Sequence, residues 1–124
     1  MSDALTARQQ ALQPLLDQVC EALRSELTRN AIEPVFAAVP SELQYCELRR
    51  DSLNNSESLY GEWRDSKGKK LGEIIAHASG EFFAEYDVLV EHPTDKRWYV
   101  EAVTAWGKPG MVKSELRLLA ALPI

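Results

Sequence analysis

A chain of 124 residues with 45% hydrophobic and 27% charged content has the size and balance of one compact domain spanning residues 1–124. Nineteen acidic against fourteen basic side chains leave a net charge of −5, which repels polyphosphate and anionic lipid, so no nucleic acid is expected as a partner. The start, MSDALTARQQ, lacks a basic region followed by an apolar run, and no stretch approaches the roughly 18 apolar residues of a membrane span, so a soluble cytoplasmic protein with no membrane partner is expected.

In chain order, residues 3 to 29 read as helix, because Leu12, Leu16, Val19, Cys20, Leu23 and Leu27 recur at spacings of three and four while Asp17, Gln18, Arg24 and Thr28 fill the other side. Ser2 is placed to cap the start and Asn30 to end it. Pro14 lacks an amide donor and disfavours helical angles at Gln13, so a break or kink is expected there, with the more secure helix over 14 to 29. The segment IEPVFAAVP, Ile32 to Pro40, is bracketed by prolines and suits an extended connection or short edge strand. LQYCELRR alternates weakly, and the DSLNNSES that follows collects turn-forming side chains, marking the most mobile loop. LYGEWR and KLGEIIAH, separated by DSKGK with Gly68 at the turn, read as a hairpin.

The centre of the chain is a second hairpin, EFFAEYDVLVE and RWYVEAVTAW on either side of HPTDK, both alternating with period two. Phe82, Ala84, Tyr86, Val88 and Val90 are assigned to the face toward the core. Gly107-Lys108-Pro109-Gly110 makes the turn out of it. The run MVKSELRLLAAL fits helix or strand, and strand is chosen because so short a turn delivers it alongside Arg97–Trp106. The expected architecture is α+β: a long N-terminal helix packed on one face of a five- or six-stranded antiparallel meander sheet. The long helix, the WYVEAVTAWGKPG turn and the leucine-rich end together resemble a family of roughly 120-residue uncharacterised bacterial proteins found in pseudomonads. That resemblance covers the whole chain and implies no activity, catalytic residue or cofactor.

Register decides which side chains meet. Pairing Glu91 with Arg97 keeps the apolar positions on one face and gives Val90–Trp98, Val88–Val100, Tyr86–Ala102, Ala84–Thr104 and Phe82–Trp106. Placing Glu101 opposite Arg117 continues the rows into Trp106–Val112, Thr104–Ser114, Ala102–Leu116 and Val100–Leu118. Two candidate sites follow. On the inner face, the small row Ala84–Thr104–Ser114 between Phe82, Trp106 and Tyr86 leaves a dent that is either filled by a helix leucine such as Leu16 or Leu23 or open to a small apolar, planar or acyl-like ligand. On the outer face, Glu85, Asp87, Glu101 and Glu115 surround Arg117, with Asp87 and Glu101 opposed, which reads as a solvated patch or as a carboxylate pair for acid/base work.

The histidines carry less. Glu73 and His77 are four residues apart on one strand, about 13 Å, and cannot be a ligand pair. His92, before Pro93 at a turn, is expected to be exposed. Cys20 and Cys46 lack CxxC or Cys/His spacing and read as buried thiols, so no metal and no cofactor is expected. No motif of known chemistry is present. The favoured reading is a non-enzymatic small-ligand-binding or protein-interaction domain; the alternative is a small enzyme using the acidic cluster or a His77-centred pocket. A homodimer is expected to cover Phe83, Leu89, Tyr99, Val103 and Leu119 on the outer face, with the Val35–Val39 segment as the alternative cover.

Overall fold

The computed structural model describes residues 3–32, 42–53 and 55–120. One helix, α1 (Asp3–Arg29), is followed by six strands: β1 (Tyr45–Arg50), β2 (Glu57–Arg64), β3 (Lys70–Ala76), β4 (Phe82–Glu91), β5 (Trp98–Lys108) and β6 (Met111–Ala120). The strands form a single antiparallel sheet in the order β1-β2-β3-β4-β5-β6, a meander in which each strand pairs with its sequence neighbours. The expected α+β architecture is therefore present, and the last run is strand. The segment from Glu33 to Pro40 lies outside the described residues.

α1 runs unbroken through Pro14, contrary to the expected break. Pro14 and Gln10 are both exposed, so the carbonyl that loses its partner turns to water rather than into the core. The opposite face carries Leu12, Leu16, Val19, Cys20, Leu23 and Leu27, all buried. Three hydrogen-bonded contacts trace the helix across the sheet: Arg8 Nη1 to Glu57 Oε1 (3.5 Å) near β2, Gly110 N to Gln18 Oε1 (2.8 Å) at the last turn, and Ser114 Oγ to Glu26 Oε1 (2.8 Å) on β6. α1 thus starts over the β2–β3 end and finishes along β6.

Beneath it lie Leu59, Trp63, Ile74, Ala84, Tyr86, Val100, Val103 and Ala105. Gly72 pairs with Trp63 on one side and Tyr86 on the other, and a Cβ there would stand 3.0 Å from the Tyr86 ring. With no side chain between them, the two aromatic rings meet edge to face, 5.7 Å apart at 68°.

The registers of the central strands differ from expectation. Observed pairs are Phe82↔Gly107, Phe83↔Trp106, Ala84↔Ala105, Glu85↔Thr104, Tyr86↔Val103 and Asp87↔Ala102, then Val90↔Val100 and Glu91↔Tyr99 across a bulge. Between β5 and β6, Val100↔Leu118 is as expected, but a second irregularity at Glu101 shifts the rest to Ala102↔Arg117, Val103↔Leu116, Thr104↔Glu115 and Ala105↔Ser114. Two local causes account for this. Leu89 adopts φ 57°, adding a residue to β4, and Arg97 bonds Asp95 instead of reaching Glu91, so the 92–97 loop is longer than a tight turn. A one-residue slip exchanges faces, so Val103 and Ala105 turn to the helix while Ala102 and Thr104 turn away.

Candidate functional site

The six residues expected around an inner-face dent are not brought together. Phe82, Ala84, Tyr86 and Ser114 lie toward α1, whereas Thr104 and Trp106 are paired with Glu85 and Phe83 on the outer face. Thr104 donates to the Glu115 carbonyl (3.2 Å), and Ser114 is held by Glu26. The inner row is Ala84–Ala105–Ser114, and the fully buried Val19 and Leu23 belong to the same core. Phe82 and Trp106 do share a cleft of about 270 Å³ at the sheet end with Glu81, Gly107 and Lys108.

On the outer face Arg117 bridges the carboxylates, Nη2 to Glu85 at 2.7 Å and Nε to Glu101 at 3.1 Å. Asp87 stands opposite Ala102, not Glu101, so the expected carboxylate pair is absent. Burial, then the charge of Glu85, pushes the Asp87 carboxyl up from 3.8. Among the described residues no group of three or more His, Cys, Asp or Glu side chains is arranged to hold a metal. Nearer β1 the same face is stapled: Arg49 lies over the Tyr60 ring (3.6 Å), Arg64 over Tyr45 (4.3 Å), and Glu62 accepts from Tyr60 and Arg64. Burial, followed by the bond to Glu62, raises the Tyr60 hydroxyl to about 12.

A larger cleft than that of Phe82 and Trp106 lies where the first half of α1 passes the β3–β4 turn. Its volume is about 400 Å³. Ala11, Leu12 and Leu15 of α1 form one wall, Leu59 and Ala76 the sheet side, and Arg8, His77 and Pro109 reach its rim. The helix period brings Arg8, Leu12 and Leu15 to one side, and the hairpin geometry places His77 at the end of β3, where its amide donates to the Glu81 carbonyl (2.8 Å). Ser58 Oγ and His77 Nδ1 are hydrogen-bonded at 2.8 Å. Ser58 is buried and His77 exposed, so the serine fixes one ring nitrogen and leaves Nε2 to solvent. Among the described residues no carboxylate ion-pairs with His77; Glu57, next to Ser58, faces Arg8 and Arg50, each at 3.5 Å.

Ser58 and Arg8 went unnoticed in the sequence. Counting outward from Arg64↔Lys70 would set Ser58 against Ala76, and the irregularity at Trp63/Arg64 moves it by one, toward His77. His92 is half-buried rather than open, and its Nδ1 accepts the amides of Thr94 (3.2 Å) and Asp95 (3.1 Å), so it shapes the β4–β5 loop. Cys20 and Cys46 are free thiols; Cys20 is fully buried, which raises its thiol to about 11, and Cys46 is half-buried. No helix among the described residues is long and apolar enough to cross a membrane. No family model, no curated protein and no solved structure matches the chain.

Proposed function

We propose that this chain is a non-enzymatic small-ligand-binding domain, and that its ligand occupies the cleft between α1 and the β3–β4 turn. The observation that carries this is the division of the lining: an apolar floor of Leu12, Leu15, Leu59 and Ala76 with one cationic side chain, Arg8, beside it. Sites for small molecules are built this way, with apolar contact supplying affinity and a few polar groups setting orientation. A short acyl or aromatic carboxylate fits, its apolar body on the leucines and its carboxylate toward Arg8.

Titration of the labelled protein with short-chain and aromatic carboxylates, followed by amide NMR, tests this. Shifts confined to residues around Leu12, Leu59 and 76–80 are expected; Arg8→Gln should weaken binding about tenfold, the worth of one charge-assisted hydrogen bond, and Ala11→Trp should fill the cleft and abolish it. Shifts scattered over the surface, or none, overturn the proposal.

A second reading, a hydrolase using Ser58 as nucleophile, is favoured by the 2.8 Å contact with His77. It lacks the group that orients the base, because Nε2 of His77 has no acidic partner among the described residues. Labelling of Ser58 by a fluorophosphonate, lost in His77→Ala, would establish that reading in place of the first. The free thiols accord with a reducing, cytoplasmic setting. Self-association is part of the proposal, because Met111 (68%), Leu118 (38%) and Leu119 (50%) along the last strand are exposed.

A further inference from the structure

Among the described residues the sheet ends in two edge strands, β1 and β6, and they are unlike. β1 offers six residues and carries Glu47, Arg49 and Arg50. β6 offers ten, Met111–Ala120, pairs among the described residues with β5 alone, and contains no proline. The registered irregularity of the β5–β6 ladder falls on β5, between Val100 and Ala102, so β6 itself is continuous. A strand of this length leaves a row of amides and carbonyls that a further strand can pair, and natural sheets cover or blunt such an edge.

The side chains along β6 select the occupant. Val112, Ser114 and Leu116 turn toward the helix side, while Lys113, Glu115 and Arg117 turn outward. Arg117 is held by Glu85 and Glu101, but neither Lys113 nor Glu115 has an ion-pair partner among the described residues. The two unpaired charges are of opposite sign and flank Ser114 symmetrically. An antiparallel two-fold centred on Ser114 sets Lys113 opposite Glu115 of a second copy, Glu115 opposite its Lys113, and Val112 opposite its Leu116. Centring on Glu115 would oppose Lys113 to Arg117 and is repulsive.

We infer that β6 pairs with β6 of a second copy about a two-fold at Ser114, joining two six-stranded sheets into one of twelve with both α1 helices on the same side. The outer-face two-fold expected from the sequence is not this arrangement. Val103 is fully buried beneath α1, and the Arg117–Glu85–Glu101 network lies on the outer face with Phe83, Leu89, Tyr99 and Leu119. The inference rests on the proposal of self-association and is independent of the ligand cleft.

Sedimentation velocity of the full chain up to about 100 µM, where a dimer with a Kd of about 1 µM is saturated, is the test. A dimer is expected. Lys113→Glu and Glu115→Lys, each altering two symmetry-related pairs, should each weaken it at least about tenfold, and the double variant should restore it to within about threefold. Lys113 and Glu115 are both exposed, and circular dichroism checks that the fold is kept in every variant. Ser114→Cys should form a cross-chain disulfide on mild oxidation. A monomer throughout overturns both this inference and self-association; a dimer indifferent to the charge reversals and not cross-linked through Ser114→Cys overturns the β6 seat alone.

Discussion

At the scale of single residues, two aspartates respond to their surroundings in opposite directions. Asp87 is pushed up from 3.8, first by burial and then by Glu85, against weaker opposing pulls from Lys70, Arg117 and Lys69. Asp95 is held down at about 2, first by the Arg97 side-chain bond and then by the Arg97 amide. A raised carboxylate binds its proton more tightly folded than unfolded, so its ionisation works against the fold once pH passes the raised value; a depressed one contributes stability above 3.8 that is lost as pH falls toward 2. Thermal melts across pH should therefore show Asp87→Asn melting above the parent at pH 7 and level with it below about pH 3. Asp95→Asn should melt below the parent at pH 7, again converging in acid. An Asp87→Asn melt below the parent at neutral pH would mean that the carboxylate, not the acid, is what the fold stabilises.

At the scale of the element, α1 ends by a device usually built on glycine. The Ile32 amide donates to the Leu27 carbonyl (2.9 Å) and that of Ala31 to Thr28 (3.1 Å), a closure that needs the residue between in the left-handed region. Ala31 occupies it at φ 60°. Asn30 supports the end from outside by donating its side-chain amide to the Glu26 carbonyl (2.8 Å), and Glu26 is in turn bonded by Arg29. An alanine held there is strained by about 1 kcal/mol relative to glycine, so Ala31→Gly should raise unfolding stability by about that amount in urea titrations, against the usual sign for glycine at a helix interior. Leu89 is a harder case of the same kind, a γ-branched side chain at φ 57° and 64% exposed, and nothing in the described structure shows what it gains there.

At the scale of the molecule, one helix shields one face of six strands, and the core is thin. Its fully buried side chains include Trp63, Leu23, Leu27, Leu59, Ile74 and Val100, drawn from α1, β2, β3 and β5. Leu23 is fully buried in the packed core between α1 and the sheet, so its neighbours have little freedom to collapse on a gap left there. Leu23→Ala should cost about 3 kcal/mol in equilibrium unfolding, within the range for a leucine removed from a packed interior. Leu5, at the helix start and only partly buried, should cost clearly less on the same change. Equal losses would mean that the start of α1 is as much part of the cooperative core as its buried second half.

The sequence by itself determined most of the elements, though the run after Gly110 fits helix as well as strand and Pro14 suggests a break that α1 does not have. Periods of 3.6 and 2 are properties of a few consecutive residues, so the leucine stripe of α1, the alternation of Phe82–Val88 and the Pro109-Gly110 corner identified helix, strand and turn without reference to anything distant. The order of a meander follows from the same turns, since each connection between strands is too short to cross over another. Register is different in kind, because one bulge reverses the face of every residue beyond it and the energy that fixes a bulge comes from packing against a second layer. Leucine at a positive φ leaves no local trace, so only the tertiary structure turned Val103 inward and Thr104 outward and separated Asp87 from Glu101. It alone placed Arg8, fixed by where α1 crosses the sheet, beside Glu57 and at the rim of the cleft that His77 shares. Contacts between residues as far apart as Arg8 and Glu57, or Glu26 and Ser114, depend on how whole elements stack, and the period of either segment is silent about that.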